Sequence, residues 1–491
     1  VAHPKKKHKN KVAKPSPHRR TSDGRTGGTP PRSADPEPAA PEATVEPAVS
    51  GPSGGHGTDL TGTHQQIPDT ELLTSARAVL AAVGSTRRAL SAAIAELAAR
   101  VQNEPTGHRR LDVVFADLVA VDLVRVWEDG WQPLDVAHVA KRNLKARGGQ
   151  LAAAMILDEA ERASAARRAP AAWNDQLTAL ADLDSSTRLT LPPGTPALSR
   201  FAMELGGRTE DTWMDAVEFA WLLRGLPKLP LLLPVPSRWD TLAHLPRRPE
   251  GAAGQAPRGA EGVRMLEKVR ALLAKAESTE FAAEAETFTA KAQDLMTRHS
   301  IDAAMVDGGA ATDVHSRRVH VDDPYGEMKA QLVSVIAEVN RARAIWDPRF
   351  GMVVLVGEPL DLDLVELLYT SLLIQATRAM TEAGSNGPDH RSPAFRRAFL
   401  LAYANRIGER LAQAGSHAVD EAIQEYGAAL VPVLAGRAAA VDETFDRMFP
   451  NTSRGRSRQV DAQGWHAGRS AADKAALGRP DAGTGRKKLK S

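Results

Sequence analysis

From Thr70 onward, apolar side chains recur at helical spacing. Leu72, Leu73, Ala76, Val79, Leu80 and Val83 fall on one stripe, and Ala89, Leu90, Ala93, Ile94 and Leu97 on a second. The turn-forming run Asn-Glu-Pro-Thr-Gly at 103–107 closes the pair. Residues 111–128, LDVVFADLVAVDLVRVWE, predict a more apolar helix that stops at Asp129-Gly130, and Pro133 stands where a first helical position belongs. The helix opened by Pro133 carries Lys141, Arg142, Lys145 and Arg147. Those cations fit a helix-turn-helix recognition helix, and they equally fit compensation of a helix macrodipole by side chains whose stems cover apolar surface. The helical pattern continues to EDTWMDAVEFAWLLRGL, where Trp213 and Trp221 are both assigned to the core.

Prolines recur between 227 and 249, too often for regular structure, and RRPEGAAGQAPRGAEG reads as a linker. Beyond it lies a helical hairpin. Val263, Leu266, Val269, Leu273 and Ala276 stripe its first helix; Ala285, Phe288, Ala292, Leu295, Met296 and His299 stripe its second. One shared seam is too little core to stand alone, so the hairpin is expected to dock on something larger. Its polar positions Glu277, Ser278, Thr279, Glu284, Glu286 and Lys291 fit a binding site at the joint, and they also fit caps, dipole compensation and solvation.

The runs Leu-Leu-Ala-Lys-Ala-Glu-Ser-Thr at 272–279, Glu-Ala-Glu at 284–286, Lys-Ala-Gln-Asp-Leu-Met at 291–296 and His299-Ser300 resemble the bacterial and phage domain-of-unknown-function family numbered 2786. The region after the hairpin resembles the C-terminal part often joined to that domain. The resemblance implies a module and no activity, so no residue inherits a catalytic role from it.

In that C-terminal part, residues 325–340 predict a helix, while RARAIW and MVVLVG predict two strands joined by Asp-Pro-Arg-Phe-Gly. Asp363 and Glu366 look like a capping-box start for the next helix, and Asp361, Asp363 and Glu366 together offer an alternative divalent-cation site. Phe395, Phe399, Tyr403, Ile407 and Leu411 step by four along a core ridge expected to pack on the sheet. ALVPVL suggests a third strand, placed at an edge by Pro432, which lacks an N–H. His417, Asp420 and Glu421 share a helix face at metal-ligand spacing; His417 and Glu421 are the candidate catalytic pair, although no His-Glu-x-x-His run accompanies them. No nucleophile elbow, phosphate-cradling loop or dinucleotide fingerprint follows a predicted strand.

Composition narrows the picture. With aromatics at 4% and no cysteine, the cores must be aliphatic and Ala-rich, and disulfides and thiolate chemistry are excluded. Residues 1–66 have almost no large apolar side chains and read as a disordered basic, Pro/Gly/Ser-rich tail without a secretory signal; nothing approaches a membrane span. The opening Val suggests a GTG start codon and a bacterial or phage gene. Residues 1–20 carry eight Lys/Arg and no acid, and residues 451–491 carry ten against three Asp, so the net +3 leaves 21–450 at about −12. Lys5, Lys6, Lys7, Arg454, Arg456, Arg458, Lys487 and Lys488 are the candidate nucleic-acid contacts.

The expected fold is mainly α: an all-helical domain at 67–245, a linker at 246–261, the family hairpin at 262–302, a linker at 303–321, an α+β domain at 322–449 with a small antiparallel sheet of two or three strands, and a basic tail at 450–491. The expected function is a cytoplasmic, non-enzymatic interaction protein without cofactor or metal, joined to DNA or RNA by its basic ends or to an unknown protein partner. A metal-dependent hydrolase or nuclease is the alternative.

Overall fold

A computed structural model describes residues 66–82, 86–184, 194–206, 208–239, 256–278, 282–307, 313–387, 389–452 and 461–475. Eight helices make up the described N-terminal part: α1 (Asp69–Ala81), α2 (Arg87–Val101), α3 (Gly107–Glu128), α4 (Pro133–Arg162), α5 (Ala165–Arg168), α6 (Ala171–Asp184), α7 (Ala197–Leu205) and α8 (Thr209–Arg224). The stripes predicted for α1 and α2 are buried at Leu72, Ala76, Val79, Leu80, Leu90, Ile94 and Leu97. They pack around Phe115, Trp127, Trp131, Trp213 and Phe219. Trp213 donates its indole N–H to Asp112 at 2.6 Å, which satisfies the one polar atom its burial would otherwise orphan.

Trp221 departs from the core assignment and is 56% exposed. Eight residues at 100° per residue rotate it by about 80° from Trp213, in the direction opposite to the buried Ala220 and Leu223. Trp221→Ser should therefore shift the urea midpoint by no more than about 0.5 kcal/mol equivalent.

The second part begins with the hairpin α9 (Ala256–Ser278) and α10 (Ala282–Asp307). It continues through β1 (His315–His320), α11 (Gly326–Val339), β2 (Arg343–Asp347), β3 (Met352–Gly357), α12 (Pro359–Ala383), α13 (Pro393–Tyr426), α14 (Leu430–Met448) and α15 (Ala462–Lys474). The fold is mainly α with a three-stranded antiparallel sheet in the order β1-β3-β2. One sheet face carries Val319, Val353 and Leu355 onto α11 and α12, in a core with Val333, Ile336, Leu364 and Leu368. Val269 and Leu273 of α9 and Ala292 and Met296 of α10 belong to the same core, so the hairpin docks as its single apolar seam requires. On the opposite face Met352 reaches into the N-terminal core, and Val356 meets Val441 and Phe445 of α14.

Four details differ from expectation. The third strand is β1, inside the stretch read as a linker at 303–321. ALVPVL instead opens α14: Pro432 sits in the first turn, where its missing N–H is one of the donors a helix leaves unpaired anyway. α12 starts at Pro359 behind Glu358, one turn before the Asp363 start predicted by the capping pattern. The stretch 450–491, read as tail, contains α15, capped by Asp461 accepting from Gly464 N–H at 2.7 Å.

The Phe395–Leu411 ridge is buried throughout, but it lies between α11 and α15 instead of on the sheet. Gly464 and Gly468 rest directly on the carbonyls of Phe395 and Phe399; a Cβ at either would fall well under 3.0 Å from backbone atoms. Among the described residues no helix is long and apolar enough to cross a membrane.

Candidate functional site

Among the described residues, a buried cluster of charged side chains lies where α4 meets β1. Its geometry starts with the α3–α4 turn, where Gly130 adopts φ +90° and Pro133 takes the first helical position. Asp135 then falls at the third position and accepts from Gln132 N–H at 3.1 Å, half of a capping box. The same carboxylate accepts from Arg318 Nη1 at 2.7 Å and from His320 Nε2 at 2.8 Å. Arg318 also donates to the carbonyls of Gly130 at 2.9 Å and Pro230 at 2.7 Å. Strand alternation explains the pairing, since Arg318 and His320 are two residues apart and share the face turned to α4.

One turn along α4, His138 donates Nε2–H to Gly351 carbonyl at 3.0 Å, and its ring lies 4.8 Å from that of His320. Its other nitrogen is 3.7 Å from Asp322, which accepts from Lys141 at 2.9 Å. Arg142 pairs with Asp323 at 2.6 Å and Arg147 with Asp215 at 2.5 Å. Three of the four cations that suggested a recognition helix are thus occupied by carboxylates of the same chain.

Burial raises the cost of ionising Asp135, but Arg318 and His320 outweigh it and hold its carboxyl below the usual range. Burial and the neighbouring His320 push His138 down to about 4, against the pull of Asp322. Burial also lowers the Lys329 ammonium, whose Nζ donates to Asp322 carbonyl at 2.7 Å. The arrangement fixes an imidazole tautomer: His320 gives Nε2–H to Asp135, as in a carboxylate-oriented base. Among the described residues its contacts are the Asp135 carboxylate and the ring of His138. The spacing signals were present, with Asp135 and His138 at i, i+3 and Arg318 and His320 at i, i+2, but nothing local pairs positions more than 180 residues apart.

His417, Asp420 and Glu421 lie exposed on α13, and Glu421 pairs with Arg298 of α10. Asp361 pairs with Arg341 at 3.0 Å, and Asp363 and Glu366 share Arg317 at 2.7 and 3.2 Å, so guanidinium groups, not a divalent cation, face these three carboxylates. No group of three or more His, Cys, Asp or Glu among the described residues is arranged to hold a metal ion.

In the hairpin, Glu277 is half-buried, Lys291 is exposed, and exposed Ser278 donates to Lys275 carbonyl at 3.1 Å. Thr279 lies outside the described residues, as do the side chains of Glu284 and Glu286. The buried polar side chains here are Gln293, Thr297 and Ser300; the Gln293 amide donates at 3.3 Å both to Thr297 Oγ1 and to Asn340 Oδ1 of the turn after α11. Lys5, Lys6, Lys7, Arg454, Arg456, Arg458, Lys487 and Lys488 also lie outside the described residues.

Comparison with known proteins bears on the hairpin alone. No curated protein and no solved structure matches the chain. Residues 264–303, covering most of α9 and all but the end of α10, match the family model described as "Protein of unknown function (DUF2786)". The hairpin that docks on the sheet domain is therefore a DUF2786 module.

Proposed function

We propose that the protein is a non-enzymatic interaction protein that holds DNA or RNA through its basic ends, without reading sequence. The observation that carries this is the charge layout: eight cations against no acid at 1–20, ten against three at 451–491, and about −12 between. Pairing of Lys141, Arg142 and Arg147 with Asp322, Asp323 and Asp215 supports it, because three of the four clustered cations of α4 spend their charge internally. The proposed setting is the cytoplasm, which a cysteine-free chain suits.

The test is a salt-titrated gel shift on unrelated DNA and RNA duplexes. Deleting 451–491 is unsuitable because it removes α15 from the core. The comparison is instead the full chain against a full chain with Lys5, Lys6, Lys7, Arg454, Arg456, Arg458, Lys487 and Lys488 changed to Gln. Wild-type affinity should fall by on the order of 10³-fold or more from 50 to 200 mM salt, and the variant should flatten the log–log slope by up to about 7. Undiminished binding by the variant, or none by the wild type at low salt, sinks the proposal.

A further inference from the structure

We infer that the cluster joining α4 to β1 is an acid-released latch between the N-terminal helices and the sheet, closed while His138 is neutral and opened when that ring takes a proton. Each side of the latch has its own hydrophobic core, and the polar links between them are concentrated here: Asp135 with Arg318 and His320, His138 with Gly351, Lys141 with Asp322, Arg142 with Asp323. The apolar link beside them is small, Met352 in the helical core and Phe350 edge-on to Trp131 at 5.0 Å.

His138 is only 6% exposed, and its Nε2–H is committed to the Gly351 carbonyl, so an added proton must enter at Nδ1. There it meets groups from every neighbouring element. α4 presents Arg142, and Lys141 beyond it. β1 presents His320, already held by Asp135 together with Arg318. The turn after β1 presents Asp322 and Asp323, with Lys329 of α11 bonded to the Asp322 carbonyl and Glu366 of α12 lying toward His320. Asp322 is the one attraction close to the new charge, yet it is 56% exposed and already engaged by Lys141. Burial, the facing imidazole and the guanidinium outweigh it, in keeping with a ring pushed down to about 4.

The sign follows. A histidine whose proton affinity is depressed in the closed state favours closure above its ordinary 6.5, and that preference is lost as pH falls toward about 4. The opening constant should rise roughly 60-fold between pH 7 and pH 4.5 if the open ring titrates normally. Hydrogen exchange of the full chain, corrected for intrinsic rates, should show the amides of 318–322 and 350–353 losing protection by that order over this range while the helices keep their far-UV circular dichroism. His138→Gln keeps a donor for Gly351 and cannot charge, so it should hold the seam closed to lower pH. The same opening midpoint in both proteins, or a seam that stays protected at pH 4, overturns the inference. If the variant does not fold, an NMR titration of the wild-type ring decides: a proton taken near pH 6.5 with the seam amides still protected overturns it too.

Discussion

Asp135→Ala should cost about 3–5 kcal/mol of stability, read as a lowered urea midpoint. The two side chains of the Asp135–Arg318 pair are 1% and 3% exposed, so removing the carboxylate leaves a guanidinium in the interior with only two carbonyls as partners. The same change deletes the acceptor for Gln132 N–H at the start of α4 and the orienting partner of His320. Most of the loss should come from the stranded charge, not from a favourable pair removed. The double variant Asp135→Ala with Arg318→Met should accordingly recover much of it, because a buried ion pair and an apolar replacement of similar volume often differ little. A single variant costing under about 1 kcal/mol, or a double variant as unstable as the single, would contradict a dry ion pair at this seam.

Gly468→Val should free α15 from the core, at about 3 kcal/mol or more. The glycine packs against the Phe399 backbone, which cannot yield as a flexible side chain would, so a branched side chain must lift the helix. Lifting uncovers Phe395, Phe399 and Tyr403, and it separates Arg410 from the carbonyls of Ala472, Asp473 and Ala475 that it caps. Exchange protection of 462–474 should vanish together with the drop in urea midpoint. Ser470→Val, exposed on the same helix, should change neither by more than about 0.5 kcal/mol equivalent. Equal effects at 468 and 470 would show that close packing is not what holds the helix.

What could be read from the chain beforehand follows one rule: elements that bury an aliphatic or aromatic stripe announce themselves, and elements that bury charge or backbone do not. Leu72 to Leu97, the DUF2786 hairpin and the Phe395 ridge were plain because 3.6-residue periodicity is local. β1 was hidden because its sequence is HSRRVH; the residues turned to α4 are Arg318 and His320, whose burial makes sense only beside Asp135. α15 was hidden because Gly464, Gly468 and Ala472 dock by being small, and a small-residue segment between basic runs reads as tail. Pro432 misled because the same missing N–H suits an edge strand and a helix's first turn. Trp221 misled through a spacing of eight, which keeps only partial phase with the helix. The seam was invisible as a site for the same reason as β1: its members come from opposite parts of the chain, and each alone looks like an ordinary surface charge.

The docking of α15 has a consequence for biosynthesis. The ridge begins at Phe395 and its lid is not translated until Gly468, so at about 5–20 residues per second a nascent chain waits on the order of 4–15 s with that aromatic surface unroofed. Over that interval the emerging polypeptide is a natural client for chaperones, and the arrival of α15, rather than any earlier event, marks the moment at which this surface is closed.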